Sequence, residues 1–124
     1  MEFRDNKAIY LQIAEYVCEH ILLEKWKVDE KVPSVRELAV ELEVNPNTVM
    51  RTYDLLQNKN IINNKRGVGF FVSDQAVANV KDYRRTQFMD EELPVVFRNV
   101  YLLNIGFDEL ENRYTTFVKE NFNP

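Results

Sequence analysis

Two helix-start signals lie close together near the middle of the chain, and they constrain its fold more than any other feature. Ser34 is followed three residues later by Glu37, which is the spacing of a capping box. Asn45 is a preferred N-cap residue, and Pro46 fits the first helical position, where its missing N–H has no partner to lose. Apolar residues follow each signal at spacings of three and four: Val35, Leu38, Ala39 and Leu42, then Val49, Tyr53 and Leu56, with Thr52 between them. The sequence therefore predicts two short amphipathic helices joined by a tight turn, a helix-turn-helix unit.

A β-hairpin is predicted directly after this unit. From Ile61 to Ser73 the helical spacing gives way to short strand-like runs, separated by Gly67 and Gly69. Two of the three glycines in the chain lie at this tip, where positive φ angles are expected, and Lys65 and Arg66 stand beside them. A short strand at residues 30–32 is expected to pair with this wing. A basic, slender wing can approach a phosphate backbone or enter the minor groove.

The second helix of a helix-turn-helix unit lays its N-terminal side chains against base edges in the major groove. Here the outward-facing residues are Asn47, Thr48 and Arg51, with Met50 beside them. Arg can bond guanine in bidentate fashion, Asn can do the same with adenine, and the Thr methyl group can touch thymine. The pattern thus predicts a reading surface at the start of this helix.

Three stretches in this order resemble the winged helix-turn-helix of the GntR family of bacterial transcriptional regulators: Pro33-Ser-Val-Arg-Glu-Leu-Ala, Val44-Asn-Pro-Asn-Thr-Val and Arg66-Gly-Val-Gly-Phe-Phe-Val. The opening Ile9-Tyr-Leu-Gln-Ile-Ala and the short helical tail resemble its YtrA-like branch. The resemblance implies a regulator, commonly a repressor, with DNA contacts from Arg36, Asn47, Thr48 and Gly67. Glu43 stands at the turn, where helix-turn-helix units often have Gly. The full set of candidate DNA-binding residues is Ser34, Arg36, Asn45, Asn47, Thr48, Arg51, Lys65, Arg66 and Gly67.

The rest of the chain is predicted to be helical. Residues 8–23 and 75–88 have apolar stripes at helical spacing, and two further amphipathic helices follow, one predicted to end at Gly106 and the last to open at Asp108. Pro94 marks either the start of a new helix or a kink in a longer one. These last two helices form an αα-hairpin that cannot bury its stripes alone, so pairing with a second copy is expected. The candidate dimerisation residues are Leu93, Val96, Phe97, Val100, Leu103, Leu110, Tyr114 and Phe117.

Charge and composition bound the function. The net charge is −4, yet residues 44–73 carry four basic residues against one acidic residue, whereas residues 74–124 carry six basic and nine acidic. A locally basic surface on an acidic protein suits a few phosphate contacts. No apolar run is long enough for a membrane span and no signal peptide is visible, so a cytoplasmic protein is expected. Cys18, the single cysteine, is expected to be buried, and His20 lacks companions for a metal site.

The predicted fold class is mainly α with a small β-wing: a winged helix-turn-helix domain at residues 1–73, followed by a helical dimerisation tail at 74–124. The predicted function is sequence-specific binding of double-stranded DNA by a homodimer on a pseudo-palindromic operator, with residues 46–59 as recognition helix. The alternative, based on the acidic total charge, is a winged-helix protein-interaction module. A redox or metal enzyme would rest on Cys18 and His20 alone, so neither an enzyme nor a cofactor is predicted. Operator, effector and the sign of regulation stay open.

Overall fold

The computed structural model describes residues 1–123. One compact unit covers Met1–Arg85, a second begins at Thr86, and each is described by itself. The elements in chain order are α1 (Ile9–Leu22), α2 (Val35–Leu42), α3 (Pro46–Asn58), β1 (Ile62–Lys65), β2 (Gly69–Val72), α4 (Ala76–Gln87), a π-helical segment (Phe88–Glu92), α5 (Leu93–Leu102) and α6 (Phe107–Asn121). The predicted fold class, mainly helical with a two-stranded wing, is confirmed.

Both predicted helix starts are confirmed. The Glu37 N–H donates to the Ser34 hydroxyl at 3.1 Å, and the Ser34 N–H donates to the Glu37 carboxylate at 3.0 Å. Hydrogen bonding of the Glu37 carboxylate to the Ser34 N–H, and to the Ser34 side chain, lowers the pKa of that carboxyl. At α3, the Asn45 side-chain oxygen accepts the Asn47 N–H at 2.8 Å, and Pro46 occupies the first turn. Local hydrogen bonding therefore fixes where α2 and α3 begin.

The turn between α2 and α3 is closed by Glu43 in the left-handed conformation, with φ 57° and ψ 48°. Its N–H donates to the Val40 carbonyl at 3.3 Å, and the Val44 N–H donates to the Ala39 carbonyl at 3.0 Å. A residue with a Cβ is strained in this region, where glycine is not. The tight turn between α2 and α3 therefore places backbone strain on Glu43.

The core of the first unit is built from the predicted stripes. It joins the apolar faces of α1, α2 and α3 to the wing and to the first two turns of α4, which contribute Ala76 and Val80. The other buried apolar residues are Ile13, Ala14, Val17, Cys18, Ile21, Val32, Leu38, Ala39, Leu42, Val49, Tyr53, Leu56, Ile61, Ile62 and Val72. The packed core of the first unit therefore extends beyond residue 73. The predicted division of function at that residue, between DNA binding and dimerisation, stays a prediction.

The wing is an antiparallel hairpin in which Ile62 pairs with Val72 and Lys65 pairs with Gly69. Gly67 and Gly69 have the expected positive φ angles, 79° and 140°. Residues 30–32 run beside β2 as predicted: the Val32 N–H donates to the Phe70 carbonyl and the Val72 N–H donates to the Glu30 carbonyl, both at 2.9 Å. These bonds attach the wing to the segment before α2.

In the second unit the structure decides the alternative at Pro94 in favour of a longer helix. The proline lies in the first turn of α5, and α5 follows the π-helical segment without a break in helical backbone, because Glu92 and Leu93 both keep right-handed helical angles. The predicted helix end at Gly106 is wrong. α5 ends at Leu102, and Asn104 takes the left-handed conformation with φ 54°, which Asn tolerates because its short side chain can bond locally. Gly106 has an extended backbone and is instead the N-cap residue of α6, which begins at Phe107.

None of the helices within residues 1–123 is both long and apolar enough to cross a lipid bilayer.

Replacing Glu43 by Gly should raise the free energy of unfolding by about 0.5 to 1 kcal/mol. The gain is the relief of left-handed strain, about 1 to 2 kcal/mol, less the extra unfolded-state entropy of glycine, about 0.5 to 1 kcal/mol. Urea unfolding monitored by circular dichroism measures the difference. Glu43→Ala is the matched control, since it removes the same carboxylate but keeps the Cβ, and it should give no gain. Equal stabilisation by both variants would mean that charge, and not backbone strain, is responsible.

Candidate nucleic-acid interface

α3 has a buried side and a bare side. Val49, Thr52, Tyr53 and Leu56 are buried in the core. On the other side Asn47 and Arg51 are exposed and Thr48 is half-buried. Three of the predicted reading residues are therefore accessible at the N-terminal end of this helix. Met50, beside them, is also exposed.

The predicted DNA-binding residues at the helix starts differ in whether their side chains already bond within the protein. Ser34 and Asn45 use their side-chain oxygens as caps, so those oxygens orient backbone N–H groups within the protein. The Asn45 amide nitrogen, by contrast, remains a donor for an outside partner. Arg36, in the first turn of α2, is fully on the surface side of that helix and is exposed. Contacts of these residues with DNA stay predictions.

Tyr10 is a neighbour of Arg51 that sequence reasoning missed. The Arg51 guanidinium carbon lies 3.8 Å from the centroid of the Tyr10 ring, a cation–π contact between α3 and α1. The next residue of α3, Thr52, donates from its hydroxyl to the Tyr10 carbonyl oxygen at 2.7 Å. A recess of about 340 Å³ opens here, lined by Ala8, Ile9, Tyr10, Asn47, Thr48 and Arg51. The start of α1 therefore adjoins the reading residues.

The predicted wing residues Lys65, Arg66 and Gly67 are all exposed. The Lys65 ammonium lies 4.2 Å from the centroid of the Phe71 ring on the facing strand. Lys31 crosses close to the wing as well: a Cβ at Gly69 would lie 2.6 Å from the Lys31 Cε. Lys31 is not among the predicted site residues, although the predicted pairing of residues 30–32 with the wing already placed it there. The wing thus presents three cationic side chains.

Tyr53 holds these parts together. Its side chain is fully buried, and its hydroxyl donates to the Pro33 carbonyl oxygen at 2.7 Å. Its ring packs edge-on against Phe70 of β2, with 4.9 Å between centroids. Burial, with smaller contributions from Glu37 and Glu41, raises the pKa of the Tyr53 hydroxyl, so it stays protonated and donating. One side chain of α3 therefore contacts both the start of α2 and the wing.

Cys18 and His20, the residues considered for redox or metal chemistry, both pack against other side chains of the protein. Cys18 is fully buried in α1, and burial raises the pKa of its thiol to about 12, an effect that nearby Arg84 partly opposes. The His20 ring packs against those of Tyr16 and Trp26, at centroid distances of 4.2 and 4.6 Å, and those two rings also contact each other. Over residues 1–123, no group of three or more His, Cys, Asp or Glu side chains is placed to hold a metal ion.

Comparison with known proteins agrees with this geometry. The sequence model described as "Bacterial regulatory proteins, gntR family" matches residues 9–72, which is the region from α1 to the end of the wing. The chain belongs to the GntR family. Members of this family are transcriptional regulators and not enzymes, and the protein is a GntR-family transcriptional regulator with a DNA-binding winged helix.

Three similar proteins extend the comparison. The HTH-type transcriptional repressor YtrA of Bacillus subtilis is 35% identical over 107 residues, covering 86% of this GntR-family chain and 82% of YtrA. The crystal structure of a GntR-family regulator from Bacteroides thetaiotaomicron shares 45% identity, with a TM-score of 0.69, and covers 91% of this chain and 98% of that one. The AraR DNA-binding domain, crystallised with operator ORR3, shares 26% identity, with a TM-score of 0.53, over 59% of this chain and 86% of that one. The YtrA-like resemblance is confirmed.

The Cys18 thiol should resist alkylation in the native GntR-family fold. Iodoacetamide at pH 8 should label it only in urea, because the pKa of the buried thiol is about 12 and the thiol therefore stays protonated.

The raised pKa of Cys18 also makes the free energy of unfolding depend on pH. The unfolded thiol ionises near pH 8.5. The contribution of the protonated thiol to stability is therefore fully present below that pH and is lost as the pH rises towards 12. Between pH 8 and pH 10, wild type should lose about 1 to 2 kcal/mol more than Cys18→Ala. Mass spectrometry and urea unfolding measure the two effects, and rapid labelling of the native protein would contradict the prediction.

Proposed function

We propose that the protein is a homodimeric transcriptional repressor that binds a pseudo-palindromic operator, with α3 in the major groove and the wing on the flanking backbone or minor groove. The observation that carries the proposal is the bare N-terminal end of α3, where Asn47 and Arg51 are exposed on a helix whose opposite side is buried. The printed name of the relative YtrA, a repressor, supports the sign of regulation. The AraR domain bound to an operator supports DNA as the ligand.

Each reading residue has a distinct chemical task in this proposal. Arg51 carries a planar fork of donors that suits guanine O6 and N7, and Asn47 offers the donor and acceptor pair that suits adenine. Thr48 is half-buried, so its contribution is a short contact from its methyl or hydroxyl group. Arg36 is a candidate for a phosphate beside the groove. These residues read and orient, and the rest of α3 supports them.

In this proposal the contacts of the wing are mainly electrostatic and contribute little to sequence specificity. Lys31, Lys65 and Arg66 bring three cations to a hairpin whose tip, at Gly67, has no side chain to keep the backbone away from DNA. A cation held over an aromatic ring, as Lys65 is over Phe71, is partly ordered before binding. Contacts of this kind position the domain on the duplex and make binding depend on salt.

The second unit supplies the reason for a homodimer. No side chain of α5 or α6 is buried in the single chain. Among the predicted dimerisation residues, Leu103, Tyr114 and Phe117 are 69%, 69% and 57% exposed, while Leu93, Val100 and Leu110 are partly covered. Tyr101, Leu102 and Phe107 extend the same apolar surface, around a cleft of about 600 Å³ between α5 and α6. So much apolar surface on two helices favours a partner with the same surface.

A two-fold dimer presents two copies of α3 to half-sites about one helical turn, or a multiple of it, apart. Symmetry of the protein then requires symmetry of the operator. Neither copy needs high affinity alone, because binding of the first half-site raises the effective concentration of the second α3 at its own half-site. This arrangement suits a protein whose total charge is −4 and whose non-specific attraction to DNA is therefore limited.

Selection of duplexes from a random pool tests the DNA-reading part of the proposal. Wild type should enrich a sequence with two inverted half-sites, and its affinity should fall steeply with salt. Arg51→Ala should weaken binding to that duplex by about 1 to 3 kcal/mol and lose the preference at one base pair in each half-site. Lys119→Ala, which removes an exposed cation from α6, is the matched control and should keep the preference.

The same measurements separate the alternatives. An equal loss for Arg51→Ala on every sequence would make Arg51 a phosphate contact and not a base reader. If wild type enriches no duplex and shows no salt-sensitive binding, the protein-interaction module is favoured instead. Repression itself is measured with a reporter gene placed behind the enriched operator, and increased expression would reverse the proposed sign.

Sedimentation equilibrium tests the homodimer. Phe117→Glu should weaken the dimer by about 2 kcal/mol or more, because it places a charge where an apolar side chain is proposed to be covered. Thr116→Glu, the neighbouring exposed position on the polar side of α6, is the matched control and should leave the dimer unchanged. A wild-type protein that sediments as a monomer at the concentrations at which it binds DNA would contradict the proposal.

A further inference from the structure

Arg51 is held in place although it is exposed. An exposed arginine normally samples many rotamers, and reading a guanine in bidentate fashion requires one orientation of its planar fork. Asp54 lies three residues further along α3, but within residues 1–123 no carboxylate forms an ion pair with Arg51. The contact that Arg51 makes is with the Tyr10 ring, 3.8 Å from its guanidinium carbon.

A ring contact differs from an ion pair in what it leaves free. A bidentate carboxylate partner would occupy two of the five N–H donors of the guanidinium and so compete with a bidentate contact to guanine, which needs two donors on one edge of the fork. A ring attracts the cation through its quadrupole and accepts no conventional hydrogen bond from it. Tyr10 therefore restrains the Arg51 side chain while leaving its donors available for a base.

The ring itself is fixed by the packing of α1 on α3. Tyr10 is the second residue of α1, and its carbonyl oxygen accepts the Thr52 hydroxyl at 2.7 Å. Thr52 is fully buried and follows Arg51 directly in α3. The backbone that carries the ring is thus attached to the backbone that carries the guanidinium. Ile13 and Val17, further along α1, are buried in the same core.

We propose that Tyr10 is a specificity-determining positioning residue, which orients Arg51 for its base pair from outside the helix-turn-helix unit. The inference rests on the proposed function, because it requires Arg51 to read a base. It adds the start of α1 to the parts of the protein that determine which sequence is bound.

The test uses the full-length protein and two duplexes: the one enriched by wild type, and the same duplex changed at the base pair that Arg51→Ala no longer distinguishes. Tyr10→Leu keeps an apolar side chain and the backbone carbonyl but removes the ring. It should lower the ratio of the two affinities by about two- to fivefold, the usual worth of an exposed cation–π contact. Tyr10→Phe keeps the ring and should retain the ratio. In the Arg51→Ala background, Tyr10→Leu should have no further effect on it.

A second measurement needs no DNA. Ring currents of Tyr10 should shift the Arg51 Hδ and Hε proton resonances upfield in the free protein, and the shift should persist in Tyr10→Phe and vanish in Tyr10→Leu. Circular dichroism and thermal unfolding check that each variant is folded, and Tyr10→Met replaces Tyr10→Leu if the latter is not.

Several outcomes would overturn the inference. Equal weakening on both duplexes, or an undiminished effect of Tyr10→Leu in the Arg51→Ala background, would make Tyr10 merely structural. Tighter specific binding by Tyr10→Leu would mean that the ring sequesters Arg51 from DNA. These results leave the proposed function intact. If wild type enriches no duplex at all, the proposed function fails first and the inference fails with it.

Discussion

The winged helix depends most on the burial of Tyr53. A buried hydroxyl without a partner costs about 1 to 3 kcal/mol, so this side chain is stable only where the Pro33 carbonyl is presented to it. That carbonyl lies at the entry to α2, and the Tyr53 ring also packs against Phe70 in the wing. One residue of α3 thus couples the three parts that a winged helix brings to DNA. Their relative placement follows from a single packing solution and not from three separate ones.

Because α3 is fixed from its buried side, its other side is free to carry polar residues without a structural task. Asn47 and Arg51 receive no capping role and no carboxylate partner among the described residues. The structural roles at this end of α3 belong to their neighbours: Asn45 caps the helix, and the Thr52 hydroxyl donates to the Tyr10 carbonyl oxygen of α1. Polar residues of α3 that face the protein therefore stabilise the fold, whereas those that face outward are available for recognition.

Local signals made much of this fold predictable. The capping box at Ser34 and Glu37 and the glycines of the wing act within a few residues, so their outcome could be inferred without knowing the rest of the chain. The end of α5 was mispredicted because Asn104, and not Gly106, supplies the left-handed residue, and both types are able to do so. The π-helical segment before α5 has no simple sequence signal.

The candidate site was predictable only in part, and for the same reason. Asn47, Thr48 and Arg51 follow from helical periodicity once α3 is placed. Tyr10 could not be found this way, because it lies 41 positions before Arg51 in the sequence and meets it only through the packing of α1 on α3. Lys31 reaches the wing through the strand pairing that the sequence did predict for residues 30–32, but no periodic pattern marks its side chain as part of the site. Residues that support a reading surface from another element are invisible to periodicity, which reports one helix or strand at a time.

In the proposed dimer, the tail would link the stability of the protein to DNA binding. α5 and α6 expose apolar residues such as Tyr101 (84%) and Leu103 (69%) on two helices too short to enclose them. Covering this surface with a second copy would stabilise the tail and bring two reading helices together in one event. Dimer formation, tail stability and operator affinity would then be linked, because each is favoured by the others.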